Sequence, residues 1–255
     1  MPTVTANGLE IAYLTEGEGP PLVLLHAAIS SGARDWGPLR AVLRKDFRLF
    51  VPDARAHAGT VWDPTLGWSH AGLVDDAVAF ADAVGLDRFG VVGLSMGGGT
   101  ALGLSIRFPE RIRAAIVAAF GAAAEPRSAV ARKLMQPDVI ERDDPAWAAS
   151  IAAIHDPSQG DGAWKTLMAT IREGTIASVP PTPDELRRAR LPVLVAVGDR
   201  DPWVPLEQAV RLKRQLPDAR LFVSPGVGHV IASERPALFN QAASAFLRLS
   251  SGSDA

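Results

Sequence analysis

The sequence contains no cysteine, which excludes thiol nucleophiles, disulfides and thiolate metal sites and fits a reducing compartment. It also lacks a surplus of either charge. With a formal net charge of -2, a pI near 6.2 and no run of Lys or Arg, it offers no basic face to phosphate, so nucleic acid is not an expected partner. No uninterrupted apolar stretch reaches the length of a membrane span, and residues 1–8 carry neither a basic segment nor an apolar core. The reading is a cytoplasmic protein with no membrane partner. Internal repeats and domain-separating linkers are also absent. Among the five histidines no pair has the local spacing of a zinc site. Gly97-Gly98-Gly99 is not followed by the Lys-Ser/Thr pair of a phosphate loop, so close helix packing is the better reading. Neither a metal nor an organic cofactor is expected.

What remains is a chain of 255 residues, 47% hydrophobic and 21% charged, enough for one globular domain with a large core, or one with an insertion. Residues 3–5 and 10–14 flank Asn7-Gly8, a turn dipeptide that predicts a hairpin. Apolar strand runs then alternate with helical ones: 22–26, a helix near 35–44, 47–51, a helix over 70–84 capped by Ser69, and 89–92. Such alternation predicts an α/β chain with a mostly parallel central sheet covered on both faces. Residues 113–120 read as a further buried strand. From 121 to 190 no strand run is evident. That segment is rich in Ala and Pro and has helical periodicity at Trp147, Ile151 and Ile154, then at Trp164, Leu167, Met168 and Ile171. Pro137, Pro145, Pro157 and Pro180-Pro181 would cut it into three or four short helices. Strands resume at Pro192, helices follow near 206–215 and 236–249, and residues 250–255 are expected to fray.

Gly93-Leu94-Ser95-Met96-Gly97 stands between the apolar run 89–92 and the helical segment 100–106, the strand, sharp turn and helix of a nucleophile elbow. A serine hydroxyl is a weak nucleophile until a base takes its proton, and such a turn lifts it to where a histidine can reach it. Glycines two residues before and after let strand and helix backbones approach where a Cβ would collide. Downstream, the loop from Gly198 to Pro205 follows the apolar run 193–197, and Gly226-Val227-Gly228-His229 follows 220–223. An acid and a histidine therefore each sit just past a predicted strand, in the order Ser, Asp, His.

That order, with each member on a strand-end loop, resembles the α/β-hydrolase family over about residues 3–249. Further matching motifs are Leu22-Val23-Leu24-Leu25-His26, Pro52-Asp53-Ala54-Arg55-Ala56-His57-Ala58-Gly59, and His229 with Glu234, Pro236 and Phe239. The resemblance implies a core of residues 1–120 and 191–255, with a helical cap inserted at 121–190. It implies Ser95 as nucleophile, His229 as base, and Asp201, three residues after Gly198, as the acid that orients His229. Asp199 is left to brace the loop. The oxyanion hole maps to the backbone N–H groups of Ala28 and Met96. Ala27, Ala56 and Ala58 stand where the family commonly has glycine.

His26 and His57 read as loop-holding residues, and His70 and His155 as helix-end residues. Candidates for the substrate pocket are Trp147, Trp164, Met168 and Trp203. The expected activity is hydrolysis of a small-molecule carboxylic ester or lactone through an acyl-enzyme, as in similar small esterases, enol-lactone hydrolases and cofactor-free perhydrolases. Carbon-carbon hydrolysis or lysis on the same triad stays open, and so does a non-catalytic, ligand-binding homologue. A carboxylated substrate would want a cation in the cap, and Arg127, Arg132, Arg142, Lys165 and Arg172 are all available.

Overall fold

A computed structural model describes residues 1–63, 67–123, 125 and 127–251. Its first strands, β1 (Thr3–Ala6) and β2 (Leu9–Glu16), pair antiparallel across Asn7 and Gly8, whose φ angles of 49° and 75° are those of a tight hairpin turn. β2 also pairs antiparallel with β4 (Arg48–Pro52). Every later pairing is parallel: β3 (Pro21–Leu25) with β4 and with β5 (Phe89–Leu94), then β6 (Ile112–Ala118), β7 (Val193–Gly198) and β8 (Ala219–Ser224) in succession. The order across the eight strands is β1-β2-β4-β3-β5-β6-β7-β8.

The inner strands are apolar at almost every position because both faces of the sheet are covered. Val23, Leu25, Val91 and Val195 join one core with Phe80 of α2 (His70–Ala83) and Leu104 of α3 (Met96–Arg107). Their neighbours Leu22, Leu24, Val92 and Leu194 point the other way, into a second core with Trp36 of α1 (Gly32–Leu43) and Phe239 of α11 (Pro236–Ser251), which follows α9 (Leu206–Gln215) and α10 (Ile231–Glu234). The two helices that follow loops early in the chain start at serine caps: Ser31 accepts from the Arg34 N–H and Ser69 from the Gly72 N–H. Helix α11 runs through Ser251, and residues 252–255 of the expected frayed tail lie outside the described residues.

Between β6 and β7 the described residues form five helices and no strand: α4 (Arg127–Leu134), α5 (Pro137–Asp143), α6 (Pro145–Gln159), α7 (Ala163–Ala177) and α8 (Pro183–Leu186). Pro137 and Pro145 open α5 and α6, where a missing N–H is harmless. Pro157 does not break α6. It falls in the last turn, so it forfeits little of the helix, which stops at Gly160 with φ 99°. The first four of these helices share an apolar cluster with Ile151, Trp164 and Met168 inside it, which Ala56 joins from the loop after β4 and against which Ala28 and Trp203 pack from the loops after β3 and β7, whereas Leu186 of α8 belongs to the core with α2 and α3. The helical segment therefore rests on the loops at the carboxyl edge of the sheet.

Candidate active site

Ser95 makes the turn from β5 to α3 by itself, with φ 54° and ψ -111°. A side chain at positive φ costs about 1–2 kcal/mol and persists only where its surroundings fix it. Here the fixing is steric. A Cβ on Gly93 would lie 2.0 Å from the Gly97 oxygen, and one on Gly97 2.1 Å from the Leu25 oxygen, so the elbow closes only with glycine at both places. The Ser95 N–H donates to Ala118 O at 2.8 Å, and Ser95 O accepts from the Gly99 N–H at 2.9 Å.

The structure brings His229 and Asp201 to this serine. Ser95 Oγ lies 2.8 Å from His229 Nε2, and His229 Nδ1 lies 2.9 and 2.8 Å from the two carboxylate oxygens of Asp201. Facing two acceptors, Nδ1 carries the proton, which leaves Nε2 to accept from the hydroxyl. Asp201 is 5% exposed, and its Oδ1 also accepts from the N–H groups of Trp203 (2.8 Å) and Val204 (3.1 Å). Asp199 turns away from the imidazole and braces the loop, where its Oδ1 accepts from the Gly226 N–H at 2.6 Å and the Val227 N–H at 3.2 Å. Glu234 completes the brace around His229 by accepting from the Gly228 N–H (2.9 Å) and the Val230 N–H (3.2 Å). Its role was invisible in sequence beyond its spacing from His229.

The loop after β3 is tied at nearly every peptide unit. Ala27 N–H donates to Asp35 Oδ2 at 2.8 Å, Ser30 Oγ to Asp35 Oδ1 at 2.6 Å, and Ile29 N–H to His57 Nε2 at 3.2 Å. Gly97 N–H donates to His26 O at 3.1 Å, which holds this loop beside the start of α3. The N–H groups of Ala28 and Met96 have no hydrogen-bond partner among the described residues. Ala27 lies outside the left-handed region, whereas Ala56 and Ala58 occupy it at φ 66° and 42°. The backbone keeps the glycine-like conformation at both positions although the glycines are gone.

Two expectations need correction. Trp147 is 42% exposed and stands apart from the apolar cluster, because the inner face of α6 is Ala148, Ile151 and His155, a phase shifted from the stripe read in sequence. His155, read as a helix-end residue, stands one turn inside the end of α6 and is fully buried. Trp164 and Met168 are buried within the cluster, and the Trp203 ring lies 5.5 Å from that of His229. His70 does open α2. It lies between the rings of Trp68 and Phe120, with neither ring nitrogen partnered among the described residues.

Of the five cations singled out in the helical segment, four face acids: Arg132 with Glu125 (3.4 Å), Arg142 with Asp143 (2.6 Å), Lys165 with Glu141 (2.6 Å) and Arg172 with Glu173 (3.0 Å). Arg127 is buried and has no carboxylate partner among the described residues. Its guanidinium lies 4.5 Å over the Phe120 ring and donates to Gly121 O and Ser178 Oγ, while Nε is unpartnered. Burial lowers its pKa to about 10, and burial followed by the Arg127 charge lowers His70 to about 4.

The chain has many relatives of known kind. The profile of the Alpha/beta hydrolase family matches residues 22–242. A 2-hydroxymuconate semialdehyde hydrolase from Pseudomonas putida is 26% identical, over 96% of this chain and 92% of that protein. The 3-oxoadipate enol-lactonase 2 of Acinetobacter baylyi is also 26% identical, over 96% of both chains. The crystal structure of the enol-lactonase from Burkholderia xenovorans LB400 superposes with a TM-score of 0.79 at 24% identity, covering 97% of this chain and 100% of that one, a likeness of fold. With the strand order, the elbow and the profile in agreement, the chain belongs to the alpha/beta hydrolase family.

Proposed function

We propose that the chain hydrolyses a carboxylic ester or lactone through an acyl-enzyme on Ser95. The observation that carries this is the unbroken hydrogen-bonded line from Ser95 Oγ through His229 to Asp201. In this reading His229 Nε2 takes the hydroxyl proton as Oγ bonds to the acyl carbon, and the imidazolium is stabilised by Asp201. The N–H groups of Ala28 and Met96 receive the oxyanion. As the tetrahedral intermediate collapses, the bond to the leaving oxygen breaks and that oxygen takes the proton from His229. A water, deprotonated by the same nitrogen, then releases the acid and restores Ser95. Residues 121–190 act as a cap, with Trp164 and Met168 stiffening its interior and Trp203 beside His229.

Arg127 supports a finer reading, in which the substrate bears a carboxylate. A buried guanidinium without an acid is costly unless an anion joins it, and Phe120, on which it lies, packs against Gly98 and Gly99 in the first turn of the helix that starts after Ser95. The semialdehyde hydrolase among the relatives keeps carbon-carbon cleavage as the second reading. A panel of neutral and carboxylated esters, lactones and vinylogous diketones separates these, together with labelling by a fluorophosphonate. We expect label on Ser95 and turnover of an ester or lactone. Turnover of the diketone alone moves the activity to the second reading, and absence of both label and turnover refutes a hydrolase.

A further inference from the structure

The loop that carries the Ala28 N–H is held from outside its own segment. Three imidazoles, His26, His57 and His155, are each buried, at 1% exposure or less, and meet edge to face. Ring centroids are 5.0 Å apart between His26 and His57 and 5.4 Å between His57 and His155. Each ring accepts a backbone N–H: His26 Nε2 from Ala54 at 2.9 Å, His57 Nε2 from Ile29 at 3.2 Å, and His155 Nδ1 from Ala58 at 3.1 Å. A nitrogen that accepts carries no proton, so all three rings are neutral. Burial, then the neighbouring His26 and His155, holds His57 well below its ordinary value near 6.5. The other nitrogens of His26 and His57 donate to Ala27 O (2.7 Å) and Arg55 O (2.9 Å), which leaves neither ring a lone pair for a metal.

His155 belongs to α6, so this ladder joins the helical segment to the loop after β3. Gln159, one turn further on, clamps the same junction: it donates to Ala58 O (3.1 Å) and Thr60 O (2.8 Å) and accepts from the Trp62 N–H (3.2 Å). The junction is also strained. Ala56 and Ala58 flank His57 at φ 66° and 42°, and Ile29, which His57 holds, is at 58°, values that side-chain-bearing residues keep only when neighbours fix them. Ile29 follows Ala28 directly, so a shift of the Ala28–Ile29 peptide, whose N–H His57 holds, is passed through the Ala28 Cα to the preceding peptide, which carries the Ala28 N–H.

We propose that His57 is a positioning residue for the Ala28 N–H and that His155 seats it, so that docking of α6 sets the geometry of the oxyanion donor. The kinetic consequence rests on the hydrolytic reading of Ser95; the mechanical coupling does not. The test uses full-length protein and p-nitrophenyl acetate, an ester too small to rely on the cap for binding. His155→Leu removes the acceptor for Ala58, while His155→Asn keeps an oxygen near the Nδ1 position. We expect His155→Leu to lose about 10-fold or more in kcat with KM within about twofold, and His155→Asn to recover most of it.

At His57 the matched pair is His57→Gln, whose oxygen reaches the Nε2 position, and His57→Asn, which leaves the Ile29 N–H unmet. We expect the first to be the faster in kcat; both are polar and small, so the comparison survives if His155→Leu fails to fold. Hydrogen exchange of residues 27–31 is read on the same proteins and should quicken in the His155 variant that lacks the acceptor. Unchanged exchange in that loop, or equal kcat for the two His57 variants, overturns the proposal. Faster exchange in a protein whose wild type neither labels at Ser95 nor turns over an ester upholds the coupling and rejects the hydrolase.

Discussion

Asp199 and Asp201 stand two residues apart in one loop and hold two different parts of the His229 segment: Asp201 bonds the imidazole itself, and Asp199 bonds the N–H groups of Gly226 and Val227 that lead up to it. An amide at 201 would let the wrong tautomer of His229 dominate, a change worth about 10⁴-fold in kcat in the serine protease template. Asp201→Asn should therefore be nearly inactive yet folded. Asp199→Asn should keep most of its kcat and lose about 1–2 kcal/mol of stability, because it weakens charge-assisted bonds at an exposed position. Ester turnover and urea unfolding of both variants decide, and the reverse ranking would transfer the orienting role to Asp199.

In the loop after β3, Ala27 and Ile29 spend their N–H groups on Asp35 and His57. Ala28→Pro removes the N–H left over and should lower kcat on the order of 10²-fold or more, whereas Ala27→Gly should be mild. Circular dichroism must show native protein for the comparison to count. A fully active Ala28→Pro enzyme would move the oxyanion hole to another donor.

Strain at Ala58 is open to direct measurement. Replacing a left-handed alanine by glycine relieves about 1–2 kcal/mol and returns about 0.4–1 kcal/mol through the freer unfolded chain. Ala58→Gly should thus stabilise the protein by up to about 1.6 kcal/mol. Ala56→Gly should be near neutral, because the Ala56 methyl is buried in the helical cluster and its loss costs about 0.8 kcal/mol. Thermal melts of the two variants side by side test this; a larger gain at Ala56 would contradict it.

Acid should unfold this protein through its buried imidazoles. Burial, then Arg127, lowers His70 to about 4, and burial, then His26, lowers His155 to about 4, against 6.5 in the unfolded chain. Between those values the unfolded chain binds the extra proton and the folded one does not, so their contribution is complete above pH 6.5 and falls away as pH drops towards 4. Each depressed imidazole is worth on the order of 3 kcal/mol across that window. Urea midpoints measured from pH 7 to pH 4.5 should decline, and His70→Phe should make the decline shallower. An unchanged slope would mean that His70 keeps its ordinary affinity for protons.

The two tryptophans of the helical segment should part company on truncation. Trp164→Ala should cost about 3–5 kcal/mol as a cavity in the helical cluster, and Trp147→Ala, at an exposed site, within about 0.5 kcal/mol. Equal losses in urea would place both side chains inside.

The strands, the Asn7-Gly8 hairpin, the Ser69 cap and the glycine pattern of the elbow could all be read from the chain, because each rests on short-range rules of alternation, capping and backbone sterics. The order of Ser95, Asp201 and His229 at strand ends was legible for the same reason, since a parallel sheet sends every such loop to one edge. The tertiary structure decided what depends on a facing partner. A helix phase misjudged by one residue turns a side chain by about 100°, enough to put Trp147 in solvent and His155 against His57. The five candidate cations singled out in the helical segment look alike in sequence; only distance separates the four that meet acids from Arg127, which is buried without one among the described residues. Local propensity fixes where helices and strands begin, but burial and pairing are properties of two surfaces in contact, and no single stretch of sequence contains both.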